Sequence, residues 1–421
     1  MAHNRKTLIV GSGCFGLSTA LELLKRGWTD VTVIDRATTL PAPDGASNDF
    51  NRIVRTSYPD PFYSKLAQDA IASWKNRDEW DDAYHESGVL VLGPRASDVD
   101  YAHKSYLNDL EMGLRVVLLE QTAIGQVFPP GTDVGSLSHL KGYLNRDGGW
   151  ANAGQGVSIL MKKVTALNGK IIAGKTAAEL IQQGQKTTGV RCSDETVFEA
   201  DLVVLATGSW TGSAFPNAGN IFQATGHCIA MVQLTKEEGN RYRQCPVVLD
   251  FESGFYIFPP NDQNLVKMAV HAAGYTHTGA NHISTPRTIT SDPETGLLIP
   301  RANAKELRNG LRMVYPGLAD KPFVATRLCW YCDSRDGDWV IGYHPQSDKS
   351  LVLATGGSGH AYKFLPVIGR LVADAIDDKL SPDLVAKFAV DRTPNQPDES
   401  RLGRVVHELD LTQLCKPADL Q

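Results

Sequence analysis

The sequence predicts an α/β unit built on a parallel sheet, interleaved with an α+β unit of mainly antiparallel strands. Three observations predict it. Residues 6–36 carry a strand, a glycine turn, a helix and a second strand in that order. Two later apolar runs, within 200–211 and 350–360, repeat the theme of a buried strand ending in Ala-Thr-Gly. The chain has 421 residues, too many for one simple core, so two domains are the default.

The N-terminal unit justifies the first element. Leu8, Ile9 and Val10 form a continuous apolar run, as in a buried parallel strand. Leu17, Ala20, Leu21 and Leu24 then recur at helical spacing. Lys25 and Arg26 suit the negative end of the helix dipole, and Gly27 can stop it. Val31, Val33 and Ile34 give the second strand, closed by Asp35. Between strand and helix, Gly11, Gly13 and Gly16 form GxGxxG. The first glycine makes the tight turn, the second lets backbone approach a pyrophosphate, and the third lets helix and strand pack closely. Free N–H groups at the helix start hold the pyrophosphate, and Asp35 can accept from an adenosine ribose. Dinucleotide binding follows, although this unit alone does not separate FAD from a nicotinamide cofactor.

The later strands bear on that choice. A nicotinamide dehydrogenase usually completes its cofactor domain in one block, whereas the strands within 200–211 and 350–360 are dispersed and the second leads into the apolar segment 364–375. Dispersal suggests a Rossmann-like FAD-binding domain of the glutathione-reductase type. Its expected pieces are 1–87, 148–219 and 326–421, with a substrate domain at 88–147 and 220–325. Clusters of Gly, Pro, Asn and Asp near 130–147, 259–264 and 291–300 read as loops. In 265–271, alternation puts Lys267, Ala269 and His271 on one face and Val266, Met268 and Val270 on the other.

Composition excludes some functions. It is ordinary for a globular protein, with 42% hydrophobic and 21% charged residues. The net charge is −5 and no long basic run occurs, so nucleic acid is not an expected partner. No apolar run approaches a membrane span, and the N-terminus does not read as a secretion signal. The seven cysteines are odd in number and scattered, which suggests a reducing compartment. The final ADLQ is neither a peroxisomal tripeptide nor a prenylation box, so a cytoplasmic location is expected.

Two of those cysteines open the stretch CWYCDSRDGDWVIGYHP, residues 329–345. As a CxxC they could be a redox pair, a metal clip or plain core sulfur. No second CxxC or matching His pair follows, so no metal is expected. Four stretches in order settle more: VGSGCFG at 10–16, SNDFNRIVRTSYPD at 47–60, FYIFPPNDQNLVKMAVH at 255–271, and 329–345 followed by GGSGHAYKF at 356–364. Together they resemble the monomeric sarcosine oxidase and fructosyl amino acid oxidase (amadoriase) branch of the FAD-dependent amine oxidases, which also holds pipecolate and saccharopine oxidases.

The resemblance implies a function and assigns roles. The activity is oxidation of the C–N bond of a secondary amine in an N-substituted or cyclic α-amino acid, with dioxygen as acceptor and hydrogen peroxide as product, carried out by a monomer. Cys329 forms a thioether to the flavin 8α-methyl, and Cys332 is a neighbour. Arg52 lies near the flavin. Gly11, Gly13, Cys14, Phe15, Gly16, Asp35, Arg36, Ser47, Asn48, Gly356, Gly357, Ser358, Gly359 and Lys363 belong to the cofactor site. Arg55 and Lys363 share the substrate carboxylate, because two cations with directional donors offset the cost of burying an anion. Lys267 sits over the ring through a water and stabilises charge developing on oxygen. His271, Tyr256, Tyr331 and Asp60 fall at pocket positions. Amadoriases tend to carry an acid where this chain has His271 and to lack an arginine at Arg55, so the pattern leans toward the sarcosine, pipecolate and saccharopine side. A flavin dehydrogenase using another acceptor and a flavin-binding sensor without turnover are the competing readings.

Overall fold

The computed structural model describes residues 4–94, 101–119, 123–137, 139–215, 221–279, 281–395, 400–401 and 405–421. It is a mixed α/β fold. The N-terminal unit forms as β1 (Thr7–Val10), α1 (Cys14–Lys25) and β2 (Val31–Ile34). β1 lies between β2 and the strand Leu202–Leu205 and is parallel to both. Leu351–Thr355 extends the sheet in parallel beyond Leu202–Leu205, and Lys170–Ile172 beyond β2. Val340–Tyr343 closes one edge antiparallel. Every residue of β1 is buried, the pattern of a parallel strand covered on both faces. α1 packs on the helices Ala153–Ala166 and Ile368–Ile376. At Gly369 a Cβ would collide with the Ser18 carbonyl, so glycine lets the two helices cross closely.

The second sheet has ten strands, most of them antiparallel. Its longest pair is Phe222–Gln233 against Phe323–Ser334. Leu265–Val270 lies on the other side of Phe222–Gln233 and pairs with Phe255–Ile257. The expected alternation holds here. Val266, Met268 and Val270 join Leu307, Leu311 and Val314 of the helix Arg301–Val314 in one core. Ala269 turns the other way, into a small cluster with Ile229 and Cys329.

One expectation needs correction. The stretch 130–147 is not all loop, because Leu140–Asn145 is a buried strand between Val89–Pro94 and Val116–Leu119. Gly142 reads as a turn residue, yet its bare Cα lets the Val91 carbonyl and Leu92 pack against it. The expected boundary at 325/326 falls inside the strand Phe323–Ser334, which pairs throughout with the antiparallel sheet. His407–Glu408 also joins that sheet, through Tyr275–Thr276. Among the described residues no helix is long and apolar enough to cross a membrane.

Candidate active site

A long cavity runs from the β1–α1 turn to the strand Phe323–Ser334, enclosing about 1430 Å³ of space that is partly open to solvent. One end is built from the glycine turn. Gly11 has φ +111°, and a Cβ there would strike the Ala206 carbonyl. A Cβ on Gly16 would strike the Gly11 carbonyl, so helix and strand meet in the close packing that the third glycine serves. Gly13 caps α1 without any side-chain hydrogen bond, and no acid lies in the first turn. The positive helix end therefore faces the cavity with no carboxylate of its own helix to neutralise it. Ser47 accepts from the Cys14 N–H at 2.9 Å and so holds the turn, while Asn48 donates to the Pro41 and Ala42 carbonyls and orders that part of the cavity wall. Burial raises the Cys14 thiol far above the usual range, which leaves it neutral packing. Phe15 lines the cavity and meets Trp339 edge-on.

The next part of the cavity is polar. Asp35 Oδ2 accepts from the Ser12 N–H at 2.7 Å and the Ser12 hydroxyl at 2.8 Å. Arg36 lies over Trp210, its guanidinium carbon 4.3 Å from the ring centroid. Ser12 and Trp210 were not picked out in the sequence. A turn with glycine spacing, an uncapped helix end, an acid at the end of β2 and an aromatic platform fit the phosphates and nucleoside of a dinucleotide.

The far end is set by Phe323–Ser334 and the turn 356–359. Gly356 and Gly359 have φ +71° and +73°, and a Cβ on Gly359 would strike the Tyr331 ring. The Ser358 N–H donates to the Cys332 carbonyl at 2.9 Å, docking the turn on the strand, and Gly357 lines the cavity between Ala361 and Phe15. Cys332 lines the cavity, beside the Thr355 hydroxyl at 3.4 Å. Burial pushes its thiol up to about 11. Cys329 is 1% exposed and receives Arg52 Nη2 at 3.3 Å. All seven cysteines are free and buried, so Cys329 and Cys332 form no disulfide. Tyr331 stacks on His227 with centroids 3.8 Å apart and packs with Tyr256 against the cluster of Ile229, Ala269 and Cys329. Burial, then the neighbouring Cys329, push Tyr331 up to about 12.

Two groups of charge surround this end. In the first, Asp49 accepts from Lys267 Nζ at 2.7 Å and also pairs with Arg52. Lys267 is 1% exposed, donates to the Asn51 carbonyl at 2.8 Å, and lies near the Phe50 and Phe258 rings. Burial pushes its ammonium down to about 8, although Asp49 opposes the shift. In the second group, Arg55 is 7% exposed and sits 4.7 Å from the Tyr58 ring centroid. Its guanidinium donates to the Ser57 carbonyl and the Tyr101 hydroxyl. Lys363 Nζ lies 5.1 Å from the same ring centroid and donates to the Tyr58 hydroxyl at 2.6 Å and the His360 carbonyl at 2.8 Å. The Tyr58 hydroxyl also meets His360 Nδ1 at 3.1 Å. Arg55 and Lys363 thus converge on one aromatic ring.

Of the expected pocket, anchor and substrate residues, Arg52 and Tyr331 line the cavity, whereas Cys329, Tyr256, Lys267, Arg55, Lys363, His271 and Asp60 stand outside its lining. His271 meets the Ser400 hydroxyl at 3.0 Å, and burial with Arg401, His227, Arg55 and His360 pushes it well below its usual value. Asp60 is not brought to the cavity wall. Its carboxylate caps the helix Pro61–Trp74 through the Phe62 N–H and pairs with Lys387 at 2.9 Å. A helix N-terminus has unsatisfied donors, and the Asp before Pro61 satisfies one of them.

Residues 6–375 match the family described as FAD dependent oxidoreductase. The chain belongs to that family. This FAD-dependent oxidoreductase is 31% identical over 399 residues to the L-saccharopine oxidase of Schizosaccharomyces pombe, a match covering 90% of the chain and 92% of the relative. Among solved structures it is similar to the fructosamine oxidase Amadoriase II of Aspergillus fumigatus, with TM-score 0.84 and 27% identity over 98% of this chain and 97% of that one. It is also similar to the fructosyl peptide oxidase from E. terrenum, with TM-score 0.87 and 25% identity over 99% and 98% of the two chains.

Proposed function

We propose that the protein oxidises the C–N bond of a secondary amine in an N-substituted or cyclic α-amino acid and passes the electrons to dioxygen. The observation that carries the reading is the convergence of Arg55 and Lys363 on the Tyr58 ring beside the cavity that fits the cofactor. A buried guanidinium held by a carbonyl, a phenol and ring faces is a receptor for a carboxylate, and the hydrogen bonds it would make are worth about 1.5–3 kcal/mol each. The relatives named for saccharopine and fructosamine oxidation support the same substrate class.

Bound FAD supplies a two-electron acceptor. Arg55 and Lys363 hold the substrate carboxylate and thereby orient the C–H bond that breaks. The amine leaves as an imine, having lost a hydride and a proton. Water then hydrolyses the imine, and dioxygen takes two electrons and two protons to give hydrogen peroxide. Lys267 offers a fixed cation for the charge that develops on oxygen. His271 lies among Arg401, His227, Arg55 and His360. The L-saccharopine oxidase relative, and His271 standing where amadoriases tend to carry an acid, support a saccharopine-like amine over a fructosyl one.

Cys329 is the proposed anchor of the flavin. Arg52 places a permanent cation against its sulfur, whereas Cys332 meets the Thr355 hydroxyl and has a thiol raised to about 11. With FAD bound, Cys329 would hold it as a thioether, the thiol and the 8α-methyl each giving up a proton and the released electron pair passing to dioxygen as hydrogen peroxide. The enzyme is proposed to act as a cytoplasmic monomer. The test is anaerobic bleaching of the yellow protein by pipecolate, sarcosine, saccharopine and a fructosyl amino acid, followed by acid precipitation. Bleaching by one of them and colour in the pellet are expected. No bleaching by any would refute the substrate class, and colour in the supernatant would refute the Cys329 thioether. Cys329→Ser should release the colour and Cys332→Ser should not.

A further inference from the structure

Asp49 lies in the stretch SNDFNR, and its side chain is 2% exposed. Its Oδ2 accepts from Lys267 Nζ at 2.7 Å and pairs with Arg52 Nη1, while Oδ1 accepts from the Phe50 N–H at 2.8 Å. Arg52 continues the chain of contacts. Its Nη2 donates to the Ala46 carbonyl at 2.7 Å and approaches Cys329 Sγ at 3.3 Å. One carboxylate therefore joins the cation set for dioxygen to the cation set against the anchor sulfur.

We propose that Asp49 is a positioning residue that holds Lys267 charged and aligned and keeps Arg52 against Cys329, so that oxygen reactivity and flavin attachment both depend on it. This rests on the roles proposed above for Lys267 and Cys329. The electrostatics agree with the geometry. Burial works to raise the Asp49 carboxyl, yet Lys267, Arg52 and Arg327 hold it well below the usual carboxylate range. Lys267 is down to about 8 through burial, with Asp49 opposing and Arg52 assisting the shift and Cys329 opposing it. Take away the Asp49 charge, and burial and Arg52 act on Lys267 with little opposition. An amine that loses its proton near neutral pH no longer stabilises negative charge on oxygen. Arg52 would also lose the partner that fixes its fork and would be free to swing from the sulfur.

The test uses full-length enzyme loaded with FAD and the isosteric Asp49→Asn. Three quantities are read: the fraction of flavin retained on acid precipitation, the affinity of the oxidised flavin for inorganic sulfite as an anionic probe, and the rate of reoxidation by oxygen against pH. Expected are a loss of about half or more of the covalent flavin, sulfite binding weakened about tenfold, and reoxidation slowed roughly 100-fold near neutral pH. The pH at which reoxidation declines should also move below that of the parent enzyme, and Asp49→Glu should recover part of each effect. Unchanged flavin retention, sulfite affinity and reoxidation profile would overturn the proposal. If Asp49→Asn does not fold, the charge-balanced pair Asp49→Asn with Lys267→Met replaces it. That pair should lose covalent flavin that Lys267→Met alone keeps, and equal retention would overturn the proposal. Sulfite binding and flavin retention need no substrate, so failure of every amine to bleach the parent enzyme would refute the proposed function while leaving Asp49 to be judged.

Discussion

Lys267 and Arg55 are both buried cations, 1% and 7% exposed, but they are held in opposite ways. Lys267 has a counter-charge inside the protein, the carboxylate of Asp49. Arg55 has none within ion-pair distance among the described residues and rests on a carbonyl, a phenol and three aromatic rings. A buried charge costs several kcal/mol unless it is paired. The difference teaches that the protein neutralises one cation internally and leaves the other on neutral groups, and on the proposed function an anionic ligand would complete the second. Asp109 contributes to the second region without closing it. It is fully buried, burial pushes it up to about 6, and its bonds run to Tyr143 and Asn145.

The sharpest way to break the comparison is Arg55→Ala. Truncating one partner of a buried charge pair costs about 2–5 kcal/mol, so kcat/KM for the amino acid should fall by two to three orders of magnitude. An amine substrate lacking the carboxylate should be nearly indifferent. If both substrates suffer alike, Arg55 is structural and the contrast with Lys267 disappears. Lys267→Met should act on the other half-reaction. Removing one preorganised donor costs roughly 2.7–4 kcal/mol, read as slower reoxidation by oxygen with anaerobic flavin reduction less affected. Because Lys267 sits at about 8 in the folded protein, the parent reoxidation rate should decline as pH rises past that value. A flat profile to pH 10 would deny Lys267 its charge-stabilising role.

These residues also show what could be read from sequence. The β1–α1–β2 unit was legible because its signals are local: an apolar run, glycines at fixed spacing, and helical periodicity from Leu17 to Leu24. The roles given to the Cys329–Tyr331 and 356–364 stretches came from resemblance alone. Tyr58, Asp49, Trp210 and His360 were not singled out, since their partners lie far along the chain: Lys363 for Tyr58, Lys267 for Asp49, Arg36 for Trp210. One signal was available. A lysine inside an apolar strand demands a nearby carboxylate, and Asp49 is the acid in the stretch that carries Arg52 and Arg55. The strand Leu140–Asn145 was misread because its Gly and Asn serve packing and a turn at the strand end, roles that composition does not distinguish from a loop.

A third prediction concerns pH and stability. Burial, then Arg401, push His227 down to about 3. The unfolded chain, near 6.5, binds the extra proton between those values, so stability should rise with pH over that window and be lost as pH falls through it. The deficit from this residue should reach about 2 kcal/mol at pH 5 relative to pH 7.5. Denaturant midpoints of the parent and His227→Asn would measure it, and equal slopes against pH would reject it. His271 and His360, also pushed well below their usual value by burial, should add in the same direction.

The smallest effect should come from Asp60, and it separates a motif position from a working residue. Asp60 ends the stretch that supplies Asp49, Arg52 and Arg55, so resemblance placed it in the pocket. Its contacts are those of a cap: the Phe62 N–H at 2.8 Å, Pro61 in the first helical turn, and Lys387 at 2.9 Å with the carboxylate 39% exposed. An exposed ion pair adds little, and loss of a cap costs about 0.5–2 kcal/mol. Asp60→Ala should therefore lower the denaturation midpoint modestly, and Asp60→Ser, which can still cap, should recover most of the loss. Flavin reduction by the amine, measured per folded enzyme, should change less than twofold in both. A tenfold loss of kcat/KM in Asp60→Ser, with stability restored, would return Asp60 to the pocket and widen the uncompensated region around Arg55.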